Sequence, residues 1–159
     1  MLEAQRILLL AEEALKMLET ETDKNRFNVE CYAAICSLRS VGHVLDKVDR
    51  KNNAVLEESI LKWWADLHQH ADKEPMFFSF IEQERNQLLK DGIMNFDNEN
   101  YGGFVLFDQD KNIELLPEIG DEFLFVPMRY GTYAGEDIRD MIGEAITWWK
   151  TQFDKMGIN

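Results

Sequence analysis

The residue best placed to do chemistry is an arginine beside the apolar face of a predicted helix. Arg85 follows Ile81 by four positions and precedes Leu88 by three, so it lies on or next to the face that packs inward. An unpaired guanidinium is costly in that position. Its partner is an acidic side chain on another helix, a backbone carbonyl or an anionic ligand, and the sequence leaves all three open. Arg85 is therefore either a structural ion-pair residue or an anion-binding residue.

A second pair of basic side chains occurs on a long predicted helix nearer the N-terminus. Arg39 and His43 are four residues apart and share a face, and Gly42 beside them allows another element to approach closely. If this helix packs against the helix of Arg85, the three side chains form a small basic pocket, with Arg39 and His43 as ligand-binding residues. The alternative is a histidine bonded to a carbonyl, with Arg39 at the surface.

The charge balance restricts what such a pocket can bind. The 159 residues include 17 basic and 30 acidic side chains, which gives a net charge of −13. A protein of that charge repels phosphate backbones, so we expect no broad nucleic-acid-binding face. Residues 93–159 are the more acidic part, with 5 basic and 13 acidic residues. An anion site is therefore expected as a local cluster in the first 92 residues.

No motif predicts a metal or a cofactor. His68 and His70 are two positions apart, which on a helix points them about 200° away from each other, so they cannot chelate one ion. No glycine-rich phosphate loop occurs in the sequence. We expect no metal site and no cofactor.

Membrane association and a disulfide are also not expected. The longest apolar runs, residues 7–11 and 123–127, are far shorter than the roughly 20 residues that span a bilayer. Cys31 and Cys36 are five residues apart on a predicted helix and so lie on different faces. Two small buried thiols are typical of a reducing compartment, and we expect a cytoplasmic protein.

The elements that position these residues are mostly helical. Hydrophobic residues make up 45% of the chain, enough for a buried core. Apolar residues recur at helical spacing in four segments before Gly92, and the short connections favour an antiparallel bundle. The predicted helices cover residues 2–20, 27–50, 54–71 and 75–91.

The pattern changes after Gly92. Residues 104–107 and 113–116 predict a β-hairpin around the polar turn 108–112, and residues 121–126 are a possible third strand. A fifth helix is predicted over residues 136–155. We therefore expect a single domain over residues 1–159, composed of a helical bundle (1–92), a loop and β-hairpin insertion (93–131) and a closing helix (132–159).

Two adjacent tryptophan pairs occur on separate predicted helices, Trp63-Trp64 and Trp148-Trp149. Consecutive helical residues point about 100° apart, so one tryptophan of each pair can enter the core while the other lies at its edge. An edge tryptophan is either a core boundary or part of a surface for a partner.

The segment around Arg85 resembles the Arg-polar-x-x-x-His signature of HEPN domains, all-α domains found in many prokaryotic toxins and ribonucleases, often as dimers. Upstream, CYAAICSLRSVGHVL (residues 31–45) is similar to the long second helix of an uncharacterised bacterial HEPN-like group, as is LKWW (residues 61–64) before the ERN of residues 84–86. The resemblance covers residues 25–92. It implies a mainly α fold: an antiparallel four-helix HEPN-like bundle, here with a small β-hairpin insertion and a C-terminal fifth helix.

The sequence departs from this signature at one position. Arg85 matches the arginine and Asn86 the polar residue, but Lys90 stands where the family has histidine. In HEPN ribonucleases the arginine and histidine act together on the RNA 2′-hydroxyl and the scissile phosphate. Lysine stays protonated at neutral pH, so Lys90 stabilises negative charge but is a poor general base. The resemblance thus marks Arg85, Asn86 and Lys90 as the candidate catalytic residues.

The first functional hypothesis is a catalytically weakened or inactive HEPN-like protein. It is expected to be a homodimer that binds a nucleotide, an RNA end or a protein partner near Arg85. One alternative is an active, metal-independent ribonuclease of the toxin–antitoxin type, which uses Arg85 with His43 or Lys90. The other is a structural or interaction protein, in which Arg85 is an internal ion pair and the edge tryptophans form the contact surface.

Overall fold

Helices form most of the structure. The computed structural model of the chain describes residues 1–97, 105–107, 113–115 and 125–158, and this described part is mainly helical, as the sequence predicted. Its α-helices are α1 (Glu3–Leu18), α2 (Lys24–Val44), α3 (Arg50–Asn52), α4 (Glu57–Gln69), α5 (Gln83–Asp91) and α6 (Ile138–Lys155). None of these six helices is long and apolar enough to cross a membrane.

Two π-helical segments adjoin the α-helices. Leu45–Asp49 continues α2 into α3, and Met76–Glu82 leads into α5. The predicted helix over residues 75–91 is helical from Met76 to Asp91, but its first part is π-helical, so that residue i bonds to residue i+5 and the turns are wider. Gly92 ends α5 with a left-handed φ of 65°, as a C-terminal cap requires.

The β region is described only in part. β1 (Val105–Phe107) pairs with β2 (Ile113–Leu115) antiparallel, with Leu106 opposite Glu114. The predicted turn 108–112 lies outside the described residues, so the hairpin as a whole stays a prediction. Of the predicted third strand, residues 121–124 also lie outside them, and Phe125 and Val126 are not in a strand.

The core is organised around Trp149, which is fully buried. Its indole N–H donates a hydrogen bond to the carbonyl of Leu38 at 2.9 Å, which fastens α6 to α2. Its ring lies 5.7 Å from the ring of Trp63 on α4. Trp63 and Trp149 are buried whereas Trp64 and Trp148 are half-buried, so the expectation that one tryptophan of each pair enters the core is confirmed.

Buried carboxylates fasten two helix N-termini. Asp49, in the π-helical segment after α2, accepts hydrogen bonds from the N–H groups of Glu3 and Ala4 at 3.0 and 2.8 Å and so caps α1. Asp137 caps α6 through the Arg139 N–H. Burial acts to raise the pKa of Asp137, but hydrogen bonds from Arg139 and from the Val126 N–H outweigh it and hold that pKa below its ordinary value.

A polar network joins α5 to the segment that precedes α6. The Asn95 amide donates to Glu84 at 3.0 Å and to the Tyr130 carbonyl at 2.9 Å, and its oxygen accepts from the Tyr130 N–H. Burial raises the pKa of Glu84, and the hydrogen bond from Asn95 acts in the opposite direction. The network therefore holds the chain after Gly92 against the buried side of the helix that carries Arg85.

Replacing Gly42 tests how tightly α2 and α6 pack. A Cβ at this position would lie 3.0 Å from Cη2 of Trp149 and 3.4 Å from Cζ3 of Trp64. Because Trp149 is enclosed and cannot shift, we expect Gly42→Ala to lower the free energy of unfolding by about 1 kcal/mol, despite the higher helix propensity of alanine.

Gly143→Ala on α6 is the matched control. Its Cβ would meet Leu15 Cδ2 at 3.6 Å, an ordinary contact, so helix propensity should raise the free energy of unfolding by about 0.5–1 kcal/mol. Urea denaturation of the wild type, Gly42→Ala and Gly143→Ala compares their free energies of unfolding. Equal stabilisation by both substitutions would show that the α2–α6 contact is loose.

Candidate anion-binding site

The structure brings Arg39, His43 and Arg85 together around one small cavity. The cavity has a volume of about 190 Å³, and its fourth lining residue is Ser40. Three of these residues lie on one face of α2, and Arg85 comes from α5. The sequence did not single out Ser40, although its position three residues before His43 places it on the same face.

Arg39 is anchored at the edge of this cavity. Its Nη2 lies 3.3 Å from a carboxylate oxygen of Glu82, and its guanidinium carbon lies 5.6 Å from the centre of the Phe77 ring. Its Nε is buried and has no hydrogen-bond partner in the described part of the chain. Arg39 is thus held by one ion pair and one cation–π contact, with a donor still free.

The π-helical segment Met76–Glu82 explains how Phe77 and Glu82 both contact Arg39. In an α-helix, residues five apart point roughly 140° away from each other. In a π-helix, the i to i+5 hydrogen bond brings residues five apart to nearly the same side. The wider turn therefore presents an aromatic ring and a carboxylate to the same guanidinium.

Arg85 has no acidic partner among the described residues. It is half-buried, and its Nη1 donates a hydrogen bond to the side-chain oxygen of Asn86 at 3.1 Å. No carboxylate of the described chain lies within ion-pair distance of it. Most of its five N–H donors are left for a group that enters the cavity.

The other two lining residues differ in what they can offer. His43 is exposed and makes no hydrogen bond to the described residues, so the carbonyl-bonded alternative is not observed. The Ser40 hydroxyl donates to the Cys36 carbonyl at 2.7 Å, which leaves only its lone pairs free. His43 can therefore act on a ligand directly, whereas Ser40 shapes the wall.

Tyr32 lies one turn before Cys36 on α2 and is partly exposed. The negative charge that Cys36 carries as a thiolate and a hydrogen bond with Cys36 raise the pKa of the Tyr32 phenol, with burial adding to the effect, and the positive charge of Arg85 acts to lower that pKa.

The two other candidate catalytic residues lie at a different cavity. Asn86 and Lys90 line a space of about 370 Å³ together with Phe78, Glu82 and Gln87, among others. The reason is geometric, because five residues on an α-helix rotate the side chain of Lys90 roughly 140° away from Arg85. The structure therefore separates Lys90 from the Arg85 cavity and places His43 there instead.

The chemistry of the Arg85 cavity is that of a small anion site. Two arginines line it, and within the described residues only Arg39 is paired with a carboxylate, that of Glu82. Guanidinium groups form paired hydrogen bonds with phosphate and carboxylate oxygens. The volume is below the range of about 300–1,000 Å³ for sites that enclose a drug-sized ligand, so it fits a phosphate-sized group.

The chain matches no protein-family model, no curated protein and no solved structure. The residues of the cavity and their geometry are therefore the basis for inferring a function.

Alanine substitutions at the two arginines should affect stability differently. We expect Arg39→Ala to lower the free energy of unfolding by about 1–2 kcal/mol, since it removes the Glu82 ion pair and the Phe77 contact. Arg85→Ala should change it by less than about 0.5 kcal/mol, because Arg85 has only the Asn86 hydrogen bond. Urea denaturation measures both, and an equal loss at Arg85 would assign it a structural role.

Proposed function

We propose that this protein is a HEPN-like domain, catalytically weakened or inactive, that binds the phosphate group of a nucleotide or of an RNA end. The observation that carries the proposal is Arg85, a half-buried guanidinium at a cavity with no acidic partner among the described residues. Burying an unpaired guanidinium costs free energy, and a bound anion would remove that cost by pairing with it. The homodimer that the HEPN resemblance implies belongs to the same proposal.

The charge distribution supports a single phosphate rather than a long nucleic acid. The net charge of −13 opposes binding of a polyanion, whereas Arg39 and Arg85 line one small cavity. Binding through one phosphate releases few counterions, so the affinity should depend only weakly on salt.

Titration of the protein with 5′-AMP and with adenosine tests this proposal. We expect AMP to bind and adenosine, which lacks the phosphate, to bind at least about tenfold more weakly. Arg85→Ala should weaken AMP binding by about tenfold or more, because it removes a charged donor from the phosphate. Isothermal titration calorimetry measures each affinity.

Lys90→Ala is the matched control, since it removes a positive charge from α5 at the other cavity. It should leave AMP affinity within about twofold. Wild-type affinity in Arg85→Ala, or the same loss in both variants, would contradict a phosphate site at Arg85.

A ribonuclease is the second candidate, and one observation favours it. His43 lines the same cavity as Arg85 and is exposed, so it can supply the base that Lys90 does not. In that reaction a neutral His43 removes the proton of the RNA 2′-hydroxyl, whose oxygen then attacks the phosphorus. The bond from phosphorus to the 5′-oxygen breaks, that oxygen takes up a proton, and Arg85 stabilises the charge that develops on the phosphate.

RNA cleavage at neutral pH and low salt distinguishes the two candidates. If the protein is a ribonuclease, Arg85→Ala and His43→Ala should each lower the rate by about 10²–10⁴-fold, whereas Lys90→Ala should not. Growth inhibition on expression, relieved by Arg85→Ala, would agree with a toxin. If the wild type cleaves no RNA, with contaminating nuclease excluded, ribonuclease activity is ruled out for the RNAs tested and phosphate binding is the remaining candidate function.

A further inference from the structure

A second and larger cavity lies between α4 and the C-terminal end of α6. Its volume is about 760 Å³, within the range of about 300–1,000 Å³ that is typical of small-molecule sites. It shares no lining residue with the Arg85 cavity. Its inner wall is apolar, formed by Trp63, Leu67 and Met156, all of which belong to the core.

A buried amide faces this cavity with a fixed orientation. Gln152 is 3% exposed, and its side-chain oxygen accepts hydrogen bonds from the Trp63 indole N–H at 3.0 Å and from the Lys155 ammonium at 3.3 Å. Both partners are obligatory donors, so the atom that faces them must be the oxygen. The amide NH₂ of Gln152 has no hydrogen-bond partner among the described residues.

Cations without ion-pair partners surround the same space. Lys62, Lys73 and Lys155 line it, and none of them forms an ion pair within the described part of the chain. The acidic lining residues are Glu58 and Asp66 on α4 and Glu74, which is bonded to the Trp148 indole. Among the described residues, the end of the cavity formed by α6 therefore holds an ammonium without an ion-pair partner and an amide NH₂ without a hydrogen-bond partner.

The positions of these two donors suit one carboxylate. The Gln152 NH₂ belongs to the same amide group as the oxygen that the Lys155 ammonium bonds, so both donors can reach the oxygens of a single carboxyl group. The apolar wall and the aliphatic stems of the lysines line the remainder of the cavity. A ligand with a carboxylate at one end and an apolar body at the other satisfies both parts.

We propose that this cavity is a binding site for a small carboxylic acid with an apolar body, whose carboxylate is held by Gln152 and Lys155 and whose body lies against Trp63. The site is independent of phosphate binding at Arg85. Neither proposal fails if the other is wrong, because the two cavities are titrated with different ligands.

Phenylacetate is the probe, observed through the side-chain N–H signals of Trp63 and Gln152 in ¹H–¹⁵N spectra. We expect saturable shifts of both signals. Phenylacetamide, which lacks the charge, and acetate, which lacks the apolar body, should each bind about tenfold or more weakly. Absence of saturable shifts at these two side chains, or acetate binding as tightly as phenylacetate, would overturn the proposal.

Lys155→Gln should weaken phenylacetate binding by about tenfold, because it removes the charged donor from an exposed position. Lys150→Gln is its matched control, on the same helix, with the same change in charge and outside the cavity lining. Lys150→Gln should leave the phenylacetate affinity within about twofold. An equal loss of affinity in both variants would show that the effect comes from net charge alone and would overturn the proposal.

Gln152→Glu provides a second test of the buried amide. A glutamate keeps an acceptor for the Trp63 indole but replaces the NH₂ donor with a negative charge. We expect phenylacetate binding to be lost while the Trp63 signal still indicates a folded core. Undiminished binding in this variant would show that Gln152 does not contact the carboxylate. If this variant fails to fold, Lys155→Gln still decides the proposal.

Discussion

The approach of α6 to α2 at Gly42 is the constraint on which the rest of the structure depends. The Trp149 ring fits against α2 only because position 42 has no side chain, and its indole N–H is satisfied by the Leu38 carbonyl. Arg39, Ser40 and His43 belong to this same stretch of α2 and line the anion cavity. One turn of helix therefore fixes the core on one face and positions the candidate site on the other.

The π-helical segment before α5 connects the core to that site. Phe77 packs edge-to-face against Trp149 and Trp64, at centroid distances of 6.0 Å to each, and lies below the Arg39 guanidinium. Glu82 follows Phe77 by five residues and pairs with Arg39, because the wider π-helical turn places Glu82 on nearly the same side of the helix as Phe77. Widened turns of this kind recur at functional sites, where they re-aim side chains. Here the widened turn brings Glu82 to Arg39, while Arg85 has no acidic partner in the part of the chain that the structure describes.

Both cavities contain positively charged donors in a strongly acidic chain. With a net charge of −13, distant charges do not attract an anion, so any anion must be recognised by groups in direct contact with it. At the first cavity those groups are guanidiniums, which suit the oxygens of a phosphate. At the second they are an ammonium and an amide beside an apolar wall, which suit a carboxylate on an apolar body. The two sites therefore differ in chemistry as well as in position.

The sequence alone determined the helices and most of the residues around the anion cavity. Periodicity placed the predicted helices 2–20 and 136–155 within two residues of α1 and α6, and i to i+4 spacing placed Arg39 and His43 on one face. It did not reveal the π-helical turns, because the spacing of apolar residues indicates a helix without distinguishing α from π turns. It also did not show that Lys90 lies at another cavity, that Glu82 pairs with Arg39, or that Gln152 presents a free amide. These contacts depend on how the helices pack against one another. The apolar pattern of a segment determines whether it forms a helix, but the same pattern is compatible with several packing arrangements of that helix.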